Sequence, residues 1–287
     1  MSPSTTALYH AHMRNTQQTP RSARLGDTGG FGHWIGSPDA QNVLIWYHGG
    51  GFALPANRGY FKFFTNILAD ARQTNKSLSV FCLSYTLAPH AQYPVQLRQA
   101  VEALRHVLQT HPPEQVLLGG DSAGGNLVAG VLSHVAHGHP DIAPLPLGDG
   151  QQLKGALMLS PWTSLDSDFS DQKIDALGDI ITEYVAGPWA SGYLGAAQRD
   201  LFTDLSRAPR EWIAAFPVER MLVCVGGTEI MFPLLEDLVK RMREAREVDT
   251  VVGERECHVA PVYHLYMGEN RETQQGKRIK TWLRECI

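Results

Sequence analysis

The sequence contains few cysteines, no block of basic residues and no long apolar run, and each shortage excludes a class of protein. Four cysteines in 287 residues are too few for a disulfide scaffold, and a chain of this length can bury a core without crosslinks. The formal net charge is -4, from 25 basic and 29 acidic residues. Because these charges are spread along the chain, we expect no nucleic-acid partner. No apolar run reaches the length of a membrane span.

The few cysteines and the chain ends predict a reducing, cytoplasmic environment. Cys82 and Cys224 lie in short apolar runs typical of strands, so we expect buried free thiols that form neither a disulfide framework nor a metal cluster. The first residues lack the charged and apolar regions of a signal peptide. Near the other end, Cys286 is in the wrong place for prenylation.

Strands and helices alternate along most of the chain. Continuous apolar runs predict strands buried on both faces, and apolar residues at helical spacing predict amphipathic helices. The predicted strands cover residues 42–48, 78–85, 116–119, 153–160, 221–225 and 249–252, with short β-like segments at 23–25 and 31–35. The predicted helices cover 61–71, 93–109, 126–137, 234–245 and about 274–284. This alternation predicts an α/β fold with a mostly parallel sheet flanked by helices.

Two segments break the alternation. Residues 1–21 are polar and predict either a short helix packed over a site or a disordered leader. Residues 163–217 are rich in aromatic and small residues and predict helical pieces. We place both segments as a helical cap over the carboxyl edge of the sheet, where such sheets bind ligands. The chain is therefore expected to be a single domain over residues 1–287.

The strongest chemical signal is the stretch around Ser122, where an apolar run ends in Gly-Asp-Ser-Ala-Gly and a helical segment follows at once. This order is typical of a nucleophile elbow, a strained turn that lifts the serine hydroxyl above the sheet. Gly120 and Gly124 supply the small residues that such crowding needs. The pentapeptide also occurs in glycine-rich turns of other α/β proteins, so its surroundings must decide.

A nucleophilic serine needs a base, an acid that orients the base, and donors for an oxyanion. Glu229 follows the next-to-last predicted strand and His258 follows the last, in the order that the elbow requires. His264 is a rival base, but His258 comes sooner after the strand. Glu236 and Asp237 are rival acids, but they lie inside the next predicted helix and would point away from a site at the strand ends.

Both partners also have interpretations without catalysis. Glu229 could be an acidic residue near a helix N-terminus that interacts with the helix dipole. His258 could be a polar loop histidine, since the chain has twelve histidines.

A glycine triplet follows the first long predicted strand, in His48-Gly49-Gly50-Gly51. Glycines present backbone N–H groups without side chains that would obstruct a carbonyl oxygen. Gly50 and Gly51 are the candidate oxyanion donors, joined by Ala123 directly after the nucleophile. We expect His48 to anchor this loop by hydrogen bonds.

Three motifs in order resemble the hormone-sensitive-lipase-like branch (family IV) of the α/β-hydrolases: residues 48–52, 85–89 and 120–126. The resemblance extends from about residue 43 to the C-terminal helix, and residues 85–94 and 159–162 are similar to fungal carboxylesterase-like members, often found in secondary metabolism. It implies an α/β-hydrolase fold with a helical cap. It also implies a cofactor-free carboxylesterase that forms an acyl-enzyme on Ser122, with His258 as base and Glu229 as acid.

The chain departs from this family pattern at several positions. The usual acid motif, Asp-Pro-Leu followed by another Asp, is replaced by residues 229–233, so that Pro233 stands where a second carboxylate often helps to fix the loop. The frequent arginine and glutamate of the second motif are Thr86 and His90. The N-terminal part of the cap is also short.

The expected partner is a small, hydrophobic ester held by an aromatic and apolar cap. Phe52, Trp162, Tyr184 and Trp189 are the candidate pocket residues, and a homodimer is compatible with the sequence. Two other functions remain open, because a fold alone does not determine chemistry. One is a lyase or cyclase of secondary metabolism that stabilises an enolate without an acyl-enzyme. The other is a non-catalytic receptor, which is expected to lack the base.

Overall fold

A computed structural model describes residues 3–166 and 178–287. The central part of the predicted cap insertion, residues 167–177, lies outside these described residues. No helix within the described ranges is long and apolar enough to cross a membrane.

The described residues form one eight-stranded sheet, built from β1 (Arg21–Arg24), β2 (Phe31–Ile35), β3 (Asn42–Tyr47), β4 (Leu78–Ser84), β5 (Val116–Asp121), β6 (Leu153–Leu159), β7 (Val218–Gly226) and β8 (Asp249–Gly253). The strand order is β1-β2-β4-β3-β5-β6-β7-β8. The pairs from β4 to β8 are parallel, whereas β1 and β2 pair antiparallel at one edge. The predicted α/β class and mostly parallel sheet are therefore confirmed.

Helices cover both faces of the sheet: α1 (Thr5–Asn15), α2 (Arg58–Gln73), α3 (Val95–Val107), α4 (Ala123–His137), α5 (Glu183–Leu194), α6 (Arg210–Ala214), α7 (Phe232–Ala245), α8 (Ala260–Met267) and α9 (Gln274–Cys286). The N-terminal segment forms α1 and is not a disordered leader. The short helix α8 was not expected from the sequence, because it is apolar on most sides and has no clear amphipathic period.

The middle strands are apolar throughout because each of their faces meets a hydrophobic cluster. In β3, Val43, Ile45 and Tyr47 belong to the cluster on one face of the sheet, and Leu44 and Trp46 belong to the cluster on the other. Successive side chains of a strand point to opposite faces, so a strand covered on both sides needs a continuous apolar run.

The strand cysteines lie within this packing. Cys82 and Cys224 are fully buried free thiols in β4 and β7, as expected. Burial raises the pKa of both thiols. They are therefore protonated packing groups and not reactive thiolates.

Helix α2 provides a test of the core, because its inner face is fully enclosed. Phe64 has no exposed surface, and we expect Phe64→Ala to lower the free energy of unfolding by about 3–5 kcal/mol, through lost burial and the cavity left behind. Asn66 is exposed on the same helix, so Asn66→Ala should stay within about 0.5 kcal/mol of the wild type. Urea denaturation measures both values. Equal losses in the two variants would contradict this account of the core.

Candidate active site

Ser122 lies in a strained turn between β5 and α4. Its φ of 52° and ψ of -120° are unfavourable for a residue with a side chain, so the surrounding packing must hold them. The two flanking glycines permit that packing. A Cβ atom at Gly120 would lie 2.3 Å from the Gly124 carbonyl oxygen, and one at Gly124 would lie 1.8 Å from the Tyr47 carbonyl oxygen. Only glycine can occupy these two positions, and the turn has the backbone form of a nucleophile elbow.

The elbow is anchored to the neighbouring strand and to the segment that follows it. The Ser122 N–H donates to the Leu159 carbonyl at 2.9 Å, and the Ser122 carbonyl accepts from the Trp162 N–H at 2.9 Å. The Asn126 side chain donates to the carbonyls of Trp162, at 2.7 Å, and Thr203, at 2.6 Å. The turn is therefore held on several sides by backbone groups that cannot adjust independently.

Glu229 and His258 come together at the same edge of the sheet. Glu229 follows β7 and His258 follows β8, and His258 Nδ1 lies 2.7 Å from Glu229 Oε2. Both side chains are buried, at 0% and 3% exposure. Because the Glu229 carboxylate can only accept a hydrogen bond from Nδ1–H, a neutral imidazole here has its proton on Nδ1 and leaves Nε2 as an acceptor. Among the described residues no hydrogen bond joins Ser122 to His258, and such bonds often form only with substrate present.

A serine that no sequence motif marks donates a hydrogen bond to the Glu229 carboxylate. Ser160 follows β6, has a φ of 47°, and donates from its hydroxyl to Glu229 Oε1 at 2.9 Å. The same carboxylate oxygen accepts the Gly226 N–H at 2.6 Å. These donors fix the carboxylate while its other oxygen faces the imidazole. A polar residue directly after a buried strand was the signal that could have identified Ser160.

The glycine loop after β3 presents its N–H groups at the same edge. Gly50 and Gly51 have φ values of 103° and 59°, a conformation that glycine adopts without strain. Within residues 3–166 and 178–287, the N–H groups of Gly50, Gly51 and Ala123 donate to no acceptor. These three groups, which the sequence predicted as oxyanion donors, are thus available to an anion. A Cβ at Gly51 would lie 2.1 Å from the Trp189 ring, so the loop packs directly against α5.

Asp121 fixes this loop to the strand that precedes Ser122. Its buried carboxylate accepts hydrogen bonds from Tyr60 Oη at 2.6 Å, from Trp46 Nε1 at 3.1 Å and from the Gly49 N–H at 3.1 Å. Burial raises the pKa of Asp121 to about 6, although the hydrogen bonds from Tyr60 and Trp46 and the charge of His258 act in the opposite direction. No sequence pattern marks Asp121 for this role, because its partners come from distant segments of the chain.

His48 anchors the other side of the loop. Burial lowers its pKa to about 4, so the ring is neutral near pH 7. Its Nδ1 donates to the Gly49 carbonyl at 2.8 Å, and its Nε2 accepts from Thr5 Oγ1 at 3.3 Å. Thr5 Oγ1 also accepts the Ala56 N–H at 3.0 Å. This chain of hydrogen bonds connects α1 to the glycine loop and has the structural character expected for His48.

A narrow cavity adjoins Ser122 and is lined by Trp162, Ile181, Val185, Ala186, Trp189 and Met231. Its free volume is about 10 Å³, which is about the room that one water molecule needs. Of the four predicted pocket residues, Trp162 and Trp189 line this cavity. Phe52 does not, because it is fully buried and stacks on Tyr193 with ring centroids 3.6 Å apart.

Tyr184, the fourth predicted pocket residue, does not line this cavity. Tyr184 is 76% exposed and lines a separate surface cavity of about 500 Å³ with Glu183 and Pro188. It lies on the outer side of α5, whereas Val185, Ala186 and Trp189 lie on the side that faces Ser122.

The rival residues lie elsewhere. Glu236 and Asp237 are exposed on α7, and His264 lies in the last turn of α8. Within residues 3–166 and 178–287, no group of three or more histidine, cysteine, aspartate or glutamate side chains is placed to hold a metal ion.

The buried Asp121 carboxyl should make stability depend on pH. Its pKa is higher in the folded protein, about 6, than its ordinary value of 3.8, so the stability that its protonation contributes is complete below pH 4 and is lost as pH rises through 6. Asp121→Asn is uncharged at every pH. Relative to this variant, the wild type should therefore lose about 3 kcal/mol of unfolding free energy between about pH 4 and pH 7. Urea denaturation across this range measures the difference.

Asp27 provides the matched control, because it is exposed. Asp27→Asn should follow the pH dependence of the wild type. A constant difference between the wild type and Asp121→Asn at all pH values would contradict the raised pKa.

Comparison with known proteins places the chain in a family. A family model described as alpha/beta hydrolase fold matches residues 44–262. Steryl acetyl hydrolase 1 of Saccharomyces cerevisiae is 30% identical over 131 residues, which cover 44% of this chain and 28% of that protein. An acetyl-hydrolase of Streptomyces hygroscopicus is 31% identical over 147 residues, which cover 49% of this chain and 44% of that protein.

A solved structure is similar to this chain over its whole length. The crystal structure of an esterase from the bacterial hormone-sensitive lipase family superposes with a TM-score of 0.73 and 25% sequence identity, covering 100% of this chain and 93% of that one. The chain spans about half or less of the length of the first curated relatives that it matches. The family model matches most of the chain, the sheet is mostly parallel, and Ser122 lies in a sharp turn between a strand and a helix. The chain therefore belongs to the α/β-hydrolase fold family.

Proposed function

We propose that the protein is a serine hydrolase that cleaves a carboxylic ester of a hydrophobic small molecule through an acyl-enzyme. The observation that carries this proposal is the buried hydrogen bond of 2.7 Å between His258 Nδ1 and Glu229 Oε2, at the same sheet edge as the strained Ser122. A carboxylate that orients an imidazole near a serine on such a turn is the arrangement of a Ser-His-Glu triad.

In the acylation step, Ser122 Oγ attacks the ester carbonyl carbon while His258 Nε2 accepts the serine proton. The carboxylate of Glu229 holds the imidazole in the required tautomer and stabilises the imidazolium that forms. The developing oxyanion accepts hydrogen bonds from the N–H groups of Gly50, Gly51 and Ala123. The N-terminus of α4 adds its positive dipole end at the same point. Collapse of the intermediate expels the alcohol, which takes its proton from His258.

In the deacylation step, His258 accepts a proton from water, and the resulting nucleophile attacks the acyl-enzyme carbonyl. The same N–H groups hold the second oxyanion. The acid product leaves as the Ser122 hydroxyl recovers its proton from the imidazole. Every step uses side chains and backbone groups of this chain, so the proposed reaction requires no metal or other cofactor.

The lining of the Ser122 cavity supports an apolar substrate with a short acyl group. Trp162, Val185 and Trp189 contribute apolar walls, and the free volume of about 10 Å³ leaves room only for a group about as small as a water molecule, which favours the methyl of an acetyl group over a longer chain. The names of two relatives, a steryl acetyl hydrolase and an acetyl-hydrolase, agree with acetyl as such a group.

A second cavity provides space for a larger alcohol portion of the ester substrate. It borders the glycine loop, has a volume of about 490 Å³, and is lined by Gly49, Gly50, Tyr60 and Tyr263 among others. Because it borders the proposed oxyanion loop, an alcohol group larger than the acyl group can lie in it while the carbonyl is near Ser122.

The nucleophile can be tested by substitution and by covalent labelling. Ser122→Ala should lower kcat on p-nitrophenyl acetate by a factor of roughly ten thousand or more, because the acyl-enzyme cannot form. A fluorophosphonate probe should label Ser122 of the wild type, as read by mass spectrometry. Ser191 is exposed on the cap helix α5, and Ser191→Ala serves as a control that keeps both activity and labelling.

The two alternatives give different results in this test. A lyase that stabilises an enolate would keep most of its turnover in Ser122→Ala but lose it in His258→Ala. A receptor would show no turnover and no labelling of Ser122.

The acyl-group preference has its own test. Activity, as kcat/KM, should fall at least about tenfold from p-nitrophenyl acetate to p-nitrophenyl octanoate, because the longer chain does not fit beside Ser122. Val185→Ala enlarges the cavity and should reduce the ratio of kcat/KM on the acetate to kcat/KM on the octanoate. Tyr184→Ala removes an exposed side chain next to Val185 in sequence and should leave the ratio unchanged. A wild-type preference for octanoate would contradict the proposed acyl site.

A further inference from the structure

A carboxylate from the cap segment lies between the two loops that carry the proposed acid and base. Asp179 precedes α5, and its Oδ2 accepts the Ile230 N–H at 2.9 Å while its Oδ1 accepts the His258 N–H at 2.9 Å. Ile230 directly follows Glu229 in the chain. A single carboxylate thus contacts the backbone of the proposed base and the backbone next to the proposed acid.

The two loops also contact each other, through the Gly227 N–H on the Gly253 carbonyl at 2.8 Å and the Thr228 N–H on the Glu256 carbonyl at 3.1 Å, but these bonds lie before Glu229 and His258 in the chain. The loops follow different strands, β7 and β8, and the hydrogen bond between Glu229 and His258 requires both to be placed within a few tenths of an ångström. A carboxylate that accepts one N–H from each loop with separate oxygens fixes their relative position. Hydrogen bonds to a charged acceptor are stronger than those between neutral groups.

The contacts around Asp179 support this role. A Cβ at the preceding Gly178 would lie 3.4 Å from the Thr228 side chain, so the segment packs closely on the residue before Glu229. Thr228 in turn donates from Oγ1 to the Glu256 carbonyl at 2.9 Å, in the loop before His258. The cap segment therefore contacts the Glu229 loop at Thr228 and Ile230 and the His258 loop at the His258 N–H.

The acid loop has no carboxylate of its own for this task. Between residues 229 and 235, Glu229 is the only acidic residue, and its two oxygens are engaged with Ser160, Gly226 and His258. Pro233 occupies the start of α7, and the acidic residues beyond it are exposed. The carboxylate that accepts N–H groups from both loops therefore comes from the cap segment.

We propose that Asp179 is a positioning residue that holds the Glu229 and His258 loops in the register needed for proton transfer, a role that rests on the hydrolase function proposed above. The same short segment also reaches the cavity, because Ile181 lines the wall beside Ser122. Residues 178–181 thus determine both the alignment of the acid–base pair and part of the substrate-facing surface.

The test compares Asp179→Ala and Asp179→Asn with the wild type. Asp179→Ala should lower kcat on p-nitrophenyl acetate by about 10- to 100-fold with little change in KM, because the base is misplaced while the cavity wall remains. Asp179→Asn keeps one acceptor oxygen and should show an intermediate loss. Asp166 is the matched control: it is another cap carboxylate, paired with Arg199 and Ser164. Asp166→Ala should keep the wild-type kcat.

A second measurement does not depend on turnover. Amide hydrogen exchange at Ile230 and His258 should be faster in Asp179→Ala than in the wild type and unchanged in Asp166→Ala, because only Asp179 accepts these two N–H groups. If Asp179→Ala does not fold, Asp179→Asn carries both measurements, and its thermal unfolding midpoint verifies the fold.

The outcomes separate this proposal from the hydrolase proposal. If the wild type hydrolyses esters and the Asp179 variants keep both kcat and slow exchange, Asp179 has no positioning role. An increase in KM alone would also overturn the role, since it would assign Asp179 to the cavity wall. If the wild type hydrolyses no ester and Ser122 is not labelled, the hydrolase function fails, and unchanged exchange would then overturn the Asp179 contacts independently.

Discussion

The close approach of helix α4 to strands β3 and β5 is the constraint on which the candidate site depends. Gly124 lies so near the Tyr47 carbonyl that no side chain fits, and this contact lets the chain turn sharply at Ser122. The turn brings the serine, the helix N-terminus and the glycine loop after β3 to one edge of the sheet. Its unfavourable backbone angles persist because the two hydrophobic clusters hold the strands and helices on either side.

Three carboxylates surround this edge, and each holds a different part of it. Asp121 binds the glycine loop through the Gly49 N–H, and Glu229 binds the imidazole of His258. Asp179 accepts backbone N–H groups from the loops of the proposed acid and base. Burial disfavours the charged form of Asp121 and raises its pKa. Holding the glycine loop with this carboxylate therefore lowers the free energy of unfolding near neutral pH.

The features that the sequence predicted correctly depend on order along the chain. The continuous apolar run of β3 indicated a strand covered on both faces, and the succession of strands and helices indicated a mostly parallel sheet. Ser122, Glu229 and His258 each follow a strand, and parallel strands bring such positions to one edge. The features that were missed have no hydrophobic periodicity in the sequence. Helix α8 is short and apolar on most sides, and Ser160 and Asp179 are single polar residues. Tyr184 and Trp189 are both aromatic residues of α5, and the sequence does not show which of them faces Ser122.

The sequence by itself determined the fold class and predicted a candidate nucleophile, acid, base and oxyanion donors, because hydrophobic periodicity and glycine requirements act locally. The tertiary structure alone decided which groups hold these residues in place: Asp121 with Tyr60, Ser160 with Glu229, and Asp179 with His258. It also decided that Trp162 and Trp189 line the cavity while Tyr184 faces solvent. These hydrogen bonds join segments distant in sequence, and which partners meet depends on how the whole chain packs around the sheet.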